Sequence, residues 1–311
     1  MCAIFGFLNY GNKLSHKILT KLLRELSVAA EVRGTDATGI SYVKNGEMVT
    51  FKKAKPAHKV NFYFPKKTIA VIGHTRFTTQ GSAKQNYNNH PFEGKTDGHT
   101  FSLAHNGVLY NDKELKEKYN LPATKIETDS YVAVQLLENQ KNVDFESIKT
   151  VAELVDGSFV FTILRDDNTL FFVKGSNPIT LLHFQEYGFY LYASTSEILK
   201  VALKSAKFTA KYENIAIHTG DIVRIGLDGK LSSSTFKSTE LDYGFRRYFS
   251  WYDAFEEDEN DLLSICGCYG VDRKDVELLL EYGYTADEIE DMLYNSDFFE
   301  EAVSEIKSMF I

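Results

Sequence analysis

Short apolar runs and helically spaced apolar residues alternate along most of the chain. The run at residues 3–8 predicts a buried strand, and Ser15 is a typical N-cap for a helix with apolar residues at positions 18, 19, 22, 23 and 26. Further strand-like runs lie at residues 39–44, 48–52, 68–72, 100–104, 159–164, 169–174, 180–184, 189–193, 215–218 and 222–225, and helical patterns lie at residues 130–140, 145–155 and 196–203. Many strands with few, segregated helices predict an α+β layered domain.

The C-terminal part of the chain follows a different pattern. Apolar spacing predicts a helix over 272–282 that stops at Gly283, a second helix opened by the capping-box pattern at 285–288, and a third running from Asp297 to Ile306. We therefore expect a main domain of residues 2–239, an aromatic and acidic connecting segment of residues 240–270, and an acidic three-helix module of residues 271–311. Such short helices resemble ubiquitin-associated-like modules, but we favour a helical cap packed on the main domain.

Composition and charge describe a globular chain with an acidic tail. Of 311 residues, 43% are hydrophobic and 25% are charged, and the net charge is −8. Residues 240–311 hold 20 acidic and 5 basic side chains, whereas residues 1–239 have a net charge of +7. No arginine cluster or basic amphipathic helix accompanies that small positive excess, so we do not expect nucleic-acid binding.

Two further features bear on the location of the protein. No run approaches the roughly 18 uncharged apolar residues of a membrane span, and the amino terminus lacks the pattern of a signal peptide. Three cysteines are too few for a disulfide framework. We therefore expect a cytoplasmic protein with no membrane association. Low proline with abundant Lys, Asn, Tyr and Phe is typical of an AT-rich genome, such as that of a phage or a low-GC bacterium.

Cys2 is the first candidate for chemistry, because it directly follows Met1. Removal of Met1 would leave Cys2 with a free α-amine, whose ordinary pKa is about 7.7–8.0. One residue would then carry both a thiol nucleophile and a base, as in amino-terminal-nucleophile enzymes. If Met1 stays, the Cys2 nitrogen is an amide and has no basicity.

Further polar motifs follow Cys2 at regular points of the predicted fold. They are the segments Arg33-Gly34-Thr35-Asp36-Ala37-Thr38-Gly39, Gly73-His74-Thr75-Arg76-Phe77-Thr78-Thr79-Gln80-Gly81, Asn88-Asn89-His90-Pro91-Phe92, His105-Asn106-Gly107 and Glu127-Thr128-Asp129-Ser130. In this order and spacing, they resemble the glutaminase domain of class II glutamine amidotransferases. The resemblance runs from Cys2 to about Phe236. It implies the four-layer αββα sandwich of the amino-terminal-nucleophile hydrolases, here with a small all-α appendage.

The resemblance assigns an oxyanion hole to Asn106 and Gly107. Amide hydrolysis needs preorganised hydrogen-bond donors at the developing negative charge. Asn106 can offer a side-chain N–H, and Gly107 can offer a backbone N–H. An Asn-Gly pair is also typical of a tight hairpin turn, and the two interpretations are compatible.

Glutamine selection is assigned by the same resemblance. Arg76 corresponds to the clamp for the α-carboxylate, where a bidentate guanidinium fits, and Asp129 corresponds to the acidic partner of the α-amine. Thr79 and Gly81 fall on the loop that closes over glutamine. Outside this family, such an arginine is more often a surface ion pair, and such an aspartate is more often a helix N-terminal charge.

Supporting roles follow from the resemblance as well. Arg33 and Gly34 correspond to residues that hold the Cys2 terminus in place. His90 is expected to be structural, as are His74 and His105, although a Cys/His pair is the obvious rival catalytic unit.

No cofactor or metal is expected. The pair formed by Cys266 and Cys268 invites a zinc interpretation, but no histidine follows position 218 and no second cysteine pair completes four ligands.

The chain departs from the family in ways that bear on its partners. Ala3 stands where glycine is usual, Phe77 stands where some members have Trp or Tyr, and the turn at 174–178 replaces an arginine-rich turn. The tail shows no synthase pattern and no Gly-rich phosphate loop. We therefore expect hydrolysis of L-glutamine to glutamate and ammonia through a thioester on Cys2. The ammonia would pass to a separate synthase, with the acidic module as a candidate docking surface.

Two alternatives remain open at this point. One is an amidohydrolase of the same fold that acts on another γ-glutamyl compound. The other is a catalytically inactive binding module that recruits another protein.

Overall fold

The computed structural model describes residues 2–237, 271–282, 284, 289, 292 and 296–309. The chain divides into two compact units, Met1–Leu241 and Asp242–Ile311. The aromatic segment at 243–252, Gly283 and the capping-box pattern at 285–288 lie outside the described residues. The division into 2–239, 240–270 and 271–311 therefore stays a prediction.

Runs of strands and groups of helices make up the first unit. Its strands are β1 (Ala3–Leu8), β2 (Ala37–Lys44), β3 (Glu47–Lys53), β4 (Ala70–Arg76), β5 (Phe92–Lys95), β6 (Thr100–Leu109), β7 (Gly157–Arg165), β8 (Leu170–Lys174), β9 (Thr180–Phe184), β10 (Phe189–Ala193), β11 (Glu213–Ile215), β12 (Asp221–Ile225) and β13 (Leu231–Thr235). Its helices are α1 (His16–Ala29), α2 (Asp112–Lys118), α3 (Tyr131–Glu138), α4 (Phe145–Leu154) and α5 (Ser196–Ala206). Short 3₁₀ turns complete the set, including Ala30–Arg33 directly after α1.

Two antiparallel sheets contain the strands of the described residues. The first sheet has the order β11-β9-β10-β1-β4-β2-β3, and the second has the order β13-β12-β8-β7-β6-β5. In the first sheet, β1 pairs with β4 so that Ala3 faces Thr75. This register places Cys2, which precedes β1, beside the end of β4.

Hydrophobic clusters separate the layers. One cluster joins α1 and α5 to the first sheet through residues such as Phe5 and Phe7. A second lies between the sheets and contains Ile4 and Phe172, and a third joins the second sheet to α3 and α4. The order helix, sheet, sheet, helix confirms the predicted four-layer αββα sandwich of the α+β class.

Strand β1 shows why its sequence is a continuous apolar run rather than an alternating one. Ala3, Phe5 and Phe7 face the α1–α5 layer, while Ile4 and Leu8 face the second sheet. All six residues of the strand are buried. Because both faces are covered, every position is apolar or glycine, and burial of each large side chain contributes about 1.5–3 kcal/mol.

Strand β6 is joined to the first sheet by hydrogen bonds as well as apolar contacts. Ser102 Oγ donates to Ser41 Oγ at 2.7 Å, and His74 Nε2 donates to the carbonyl of His105 at 2.9 Å. Apolar packing is non-directional, so such bonds fix how the two sheets align.

Strand β4 lies further along the chain than its pattern predicts. We expected residues 68–72, and the structure has Ala70–Arg76 because the polar side chains of His74, Thr75 and Arg76 are buried and bonded. Thr75 Oγ1, for example, donates to the carbonyl of Ala30 at 2.9 Å. Because these positions are polar, the hydrophobic pattern did not predict that they belong to a buried strand.

Three elements had no prediction, and each has a weak local pattern. Helix α2 is almost entirely charged, β5 is four residues long, and β13 consists mostly of serine and threonine. Tertiary contacts rather than hydrophobic periodicity decide their structure.

The second unit is helical where it is described. Helices α6 (Arg273–Tyr282) and α7 (Ser296–Met309) match the predicted first and third helices of the tail. Its buried residues form a small core of their own, consisting of Val276, Leu279, Ile289, Phe299, Val303 and Ile306. Within the described ranges, no helix has the length and apolarity needed to cross a lipid bilayer.

Candidate active site

Cys2 lies at the end of β1 and is held by main-chain and side-chain groups of two neighbouring segments. The backbone N–H of Phe77 donates to Cys2 Sγ at 3.4 Å, and Sγ lies 3.4 Å from the Phe77 carbonyl oxygen. Arg33 Nε donates to the Cys2 carbonyl at 3.1 Å. The residue as a whole is partly exposed, and these contacts position its sulfur.

Gly34 allows the segment that carries Arg33 to approach β4. A Cβ at this position would lie 2.4 Å from the Arg76 carbonyl carbon and 2.6 Å from the Phe77 nitrogen. Its φ of 176° is ordinary extended backbone, so the requirement is for space and not for an unusual conformation. The glycine therefore permits the close contact that brings Arg33 to Cys2.

The environment of Cys2 favours the thiol over the thiolate. Burial raises the pKa of the Cys2 thiol above its ordinary value, and the Asp129 carboxylate raises it further. The hydrogen bond from Phe77 and the positive charge of Arg76 act in the opposite direction. With a raised pKa, the sulfur needs a base before it can act as a nucleophile.

The Arg76 guanidinium is buried at the end of β4, where it holds the following loop. Nη1 donates to Asn89 Oδ1 at 2.7 Å, and Nη2 donates to the carbonyls of Gln80 and Gly81 at 2.5 and 3.1 Å. Burial lowers the pKa of Arg76, while Cys2 and nearby carboxylates raise it. An arginine stays charged under these conditions, so the site contains a fixed cation.

The loop after β4 is anchored at several other points. Asp36 Oδ2 accepts the N–H of Thr78 at 2.8 Å, and Asn88 Nδ2 donates to Glu127 Oε2 at 2.8 Å. Thr79 is exposed and Gly81 is partly exposed, so both lie at the open side of the loop. The structure therefore places Thr79 and Gly81 on one short loop fastened by Arg76.

Asp129 is buried just before α3 and supplies the negative charge of the site. Its Oδ2 accepts the backbone N–H of Leu109 at 2.7 Å. Asp129 interacts electrostatically with both Cys2 and Arg76. Residues far apart in the sequence thus bring a thiol, a cation and an anion together.

Asn106 and Gly107 lie on β6, on the sheet facing β1. Asn106 Nδ2 donates to Ser194 Oγ at 3.4 Å, and the Asn106 carbonyl accepts Asn177 Nδ2 at 2.9 Å. Gly107 has a φ of +141°, and a Cβ there would lie 1.9 Å from the Ser158 carbonyl oxygen. Only glycine fits this backbone conformation and this close approach. The Asn-Gly pair lies within β6 and is not the tip of a tight turn.

The sequence interpretation missed Ser194 and gave no role to Asn177. Ser194 is fully buried directly after β10, where its Oγ accepts the N–H of Ile4 at 2.9 Å as well as that of Asn106. Asn177 lies in the turn that we had noted only as a departure from the family. The available signal was a serine ending an apolar strand, which is too common to single out.

His74, His90 and His105 form a buried cluster beside the site. The ring centroids of His74 and His90 are 4.3 Å apart, and those of His90 and His105 are 6.3 Å apart. Burial lowers the pKa of all three, that of His74 to about 3 and that of His90 well below its ordinary value. Among the described contacts of Cys2, none involves a histidine, and the supporting role of His90 stays a prediction.

Two interpretations of the sequence concern positions outside the described residues. These are the removal of Met1 and the thiol pair formed by Cys266 and Cys268. Within the part of the chain that the structure describes, no group of three or more His, Cys, Asp or Glu side chains could hold a metal ion.

Comparison with known proteins decides the affiliation of this domain. A family model described as a glutamine amidotransferase domain matches residues 74–201. A glutamine–fructose-6-phosphate aminotransferase (isomerizing) of Staphylococcus aureus is 34% identical over 255 residues, covering 78% of this chain and 40% of the relative. The chain contains a class II glutamine amidotransferase domain.

Other relatives agree with this assignment. The corresponding aminotransferase of Staphylococcus epidermidis is 30% identical over 252 residues, with 78% of this chain and 40% of the relative covered. The chain thus spans about two fifths of the length of the curated relatives it matches.

Solved structures support the fold of the amidotransferase domain. The glutamine phosphoribosylpyrophosphate amidotransferase of B. subtilis, complexed with ADP and GMP, superposes with a TM-score of 0.59 at 19% identity, covering 76% of this chain and 49% of that chain. An allosteric regulatory enzyme of purine biosynthesis superposes with a TM-score of 0.60 at 20% identity, with the same coverage of 76% and 49%. At this identity the likeness concerns the fold alone.

Proposed function

We propose that the amidotransferase domain hydrolyses the side-chain amide of L-glutamine to glutamate and ammonia through a γ-glutamyl thioester on Cys2. One arrangement carries the proposal: the Cys2 sulfur lies 3.4 Å from the backbone nitrogen of the residue after Arg76, where the Arg76 cation and the Asp129 anion both act on its charge. Glutamine carries an α-carboxylate and an α-amine beyond its side-chain amide. The first complements Arg76 and the second complements Asp129.

The first half of the proposed reaction forms the thioester. The α-amine of a terminal Cys2 takes the thiol proton, and the resulting thiolate attacks the amide carbon of glutamine. The oxygen of the tetrahedral intermediate becomes an anion that accepts hydrogen bonds from Asn106 Nδ2 and the Gly107 N–H. When the intermediate collapses, the carbon–nitrogen bond breaks, and the α-ammonium returns its proton to the leaving ammonia.

The second half releases glutamate. Water attacks the thioester carbon while the α-amine accepts one of its protons. The same two donors, Asn106 and Gly107, stabilise the second oxyanion. Breaking the carbon–sulfur bond frees glutamate, and the proton returns to the Cys2 sulfur.

Both halves need a base at Cys2. Because burial raises the pKa of the thiol, the thiolate is not available at neutral pH without one. The ring nitrogens of the nearby histidines are bonded elsewhere or buried, which leaves the α-amine as the base we favour. The proposal therefore requires that the mature chain begins with Cys2.

The loop after β4 has a part in binding glutamine. Arg76 Nη2 already donates to the Gln80 and Gly81 carbonyls, so a bidentate carboxylate must share or displace these partners. Thr79 directly precedes Gln80 in the sequence and is exposed. We propose that Thr79 and Gly81 contact bound glutamine as this exchange takes place.

The test combines activity, labelling and mass. Purified protein from its own host should yield glutamate and ammonia in equal amounts from L-glutamine, and its intact mass should correspond to a chain starting at Cys2. A diazo-ketone analogue of glutamine should label Cys2 stoichiometrically, and Cys2→Ala should abolish both turnover and labelling. A mature chain that retains Met1, or turnover that survives Cys2→Ala, would contradict the mechanism.

The same assay separates the two alternatives. An amidohydrolase for another γ-glutamyl compound would hydrolyse γ-glutamyl amides whose α-groups are blocked. An inactive binding module would leave the analogue unreacted. The presence of Arg76 and Asp129 favours a substrate with free α-groups, and therefore favours glutamine hydrolysis over both alternatives.

The fate of ammonia is the second part of the proposal. The Staphylococcus relatives are named for glutamine together with fructose 6-phosphate, and this chain covers only 40% of their length. We propose that a separate synthase accepts the ammonia and that the acidic C-terminal module docks it. With that acceptor present, free ammonia should fall below glutamate, whereas the purified chain should give equal amounts. We also propose a reducing, cytoplasmic location, which would keep the Cys2 thiol free.

A further inference from the structure

Ser194 connects the strand that carries the nucleophile to the amide that would stabilise the oxyanion. Its backbone N–H donates to the Ile4 carbonyl at 3.0 Å, and its Oγ accepts the Ile4 N–H at 2.9 Å. The same Oγ accepts Asn106 Nδ2 at 3.4 Å. Ser194 and Asn106 are both fully buried, so water does not compete for these bonds.

We propose that Ser194 is a positioning residue that orients the Asn106 carboxamide for the oxyanion hole. This inference rests on the proposed glutamine hydrolysis. Ser194 does not touch the reacting atoms, and it acts only through Asn106 and through the register of β1.

The chemistry of a hydroxyl accounts for the orientation. A serine Oγ has two acceptor positions, and here they serve the Ile4 N–H and one N–H of Asn106. The Asn106 amide is thereby turned with Nδ2 toward Ser194. Its second N–H has no other protein acceptor among the described residues, and it is the donor that can meet an oxyanion.

The remaining contacts of Asn106 do not fix its side chain. Asn177 holds the Asn106 backbone carbonyl, while Asn106 Oδ1 is buried without a hydrogen-bond partner in the described part of the chain. The carboxamide therefore depends on Ser194 for its rotation. Because Asn106 and Cys2 lie on different sheets, a small slide between the sheets would also misplace the donor.

The central experiment compares Ser194→Ala with Ser41→Ala. Ser41 is equally buried and makes the Ser41–Ser102 bond across the same two sheets, but it has no contact with Cys2 or Asn106. We expect Ser194→Ala to lower kcat for glutamine by about 10- to 100-fold with little change in KM. Ser41→Ala should lower stability to a similar extent and leave kcat unchanged.

A double-mutant cycle tests whether Ser194 acts through Asn106. In an Asn106→Ala background, Ser194→Ala should cause no further loss of kcat, because the group that it positions is gone. If the kcat loss of the double variant equals the product of the two single losses, the two residues act independently and the proposal is wrong. If Ser194→Ala does not fold, Ser194→Cys has a similar shape, slightly greater volume and a weaker acceptor, and it should show the same kcat defect. Ser194→Thr should retain most of the activity.

Alkylation of Cys2 distinguishes an effect on oxyanion stabilisation from an effect on the nucleophile itself. Iodoacetamide reacts with a thiolate by displacement of iodide, and no oxyanion forms. Iodoacetamide should therefore alkylate Cys2 of the Ser194→Ala variant at the wild-type rate, although this variant hydrolyses glutamine slowly. An equal loss in both reactions would show that Ser194 supports Cys2 alone, and unchanged kcat would exclude any positioning role. A wild-type protein without glutamine turnover would instead refute the proposed function.

Discussion

The Cys2 sulfur lies 3.4 Å from the backbone nitrogen of Phe77, the residue that follows Arg76. This contact follows from the Ala3–Thr75 register of β1 and β4. Arg76 ends β4 and Phe77 directly follows it, yet the two residues have different roles: the main chain of Phe77 bonds the thiol, and the Arg76 side chain supplies a cation. Phe77 is 53% exposed, and its hydrogen bonds with the sulfur come from its main chain.

Replacing Arg76 with lysine should weaken glutamine binding. An ammonium group cannot donate in the planar fork that now reaches Asn89, Gln80 and Gly81, and it cannot grip a carboxylate in a bidentate manner. We expect KM for glutamine to rise at least about tenfold. Arg165→Lys is the control, since Arg165 makes comparable bonds to Asp167 and the Val143 carbonyl away from Cys2. Steady-state glutamate release measures both, and an equal KM for the two variants would argue against the clamp.

Asp129→Asn should have two separable effects. The amide oxygen can still accept the Leu109 N–H, so the fold is retained, but the negative charge is lost. KM for glutamine should rise, because the α-amine loses its partner. The pKa of the Cys2 thiol should fall, because burial is the main cause of its elevation but the Asp129 carboxylate adds to it.

Iodoacetamide alkylation of Cys2 between pH 6 and 9 reports the second effect directly. The rate profile of Asp129→Asn should shift to lower pH. Asp144→Asn, which changes the N-cap of α4 in the same chemical way, should leave the profile in place. A shift of equal size in both variants would mean that the charge of Asp129 does not act on Cys2.

Gly34→Ala should damage the site by steric clash alone, because the backbone conformation of Gly34 is ordinary. The added methyl group would meet Arg76 and Phe77 backbone atoms at 2.4–2.7 Å, and backbone cannot move aside as a side-chain end can. We expect a loss of stability of about 1–3 kcal/mol and a large loss of turnover. Gly98→Ala, where the nearest atom is a side-chain oxygen at 3.2 Å, is the matched control. Urea denaturation and glutamate release should both separate the two variants.

The buried histidines should make the fold sensitive to acid. Burial lowers the pKa of His74 to about 3, below the 6.5 expected for an exposed imidazole. Between these values the unfolded chain binds a proton that the folded chain does not, so stability is lost as the pH falls below about 6.5. The loss is about 1.4 kcal/mol per pH unit for one such proton.

His74→Gln tests this directly, because its side-chain amide can still donate to the His105 carbonyl. The pH dependence of its unfolding free energy between pH 4 and 6 should be shallower than that of the wild type. Identical slopes in the two proteins would contradict the lowered pKa of His74.

Local pattern was sufficient for much of the fold. Strands β1, β9 and β10 have the bounds that their apolar runs predicted, and the Ser15 side chain caps α1 by accepting the Ile18 N–H. These features depend on residues within a few positions of one another. Local pattern did not predict the end of β4, where buried positions are polar. It also did not predict α2, where nearly every residue is charged.

The sequence by itself determined the family resemblance, the layered class and the candidate residues Cys2, Arg76, Asn106 and Asp129. Only the tertiary structure decided that Ser194 joins Ile4 and Asn106, which are 190 and 88 positions away along the chain. The reason is physical. Apolar periodicity shows which residues are buried, but strand order and sheet packing choose the partner of each buried polar group, and many orders are compatible with the same set of strands.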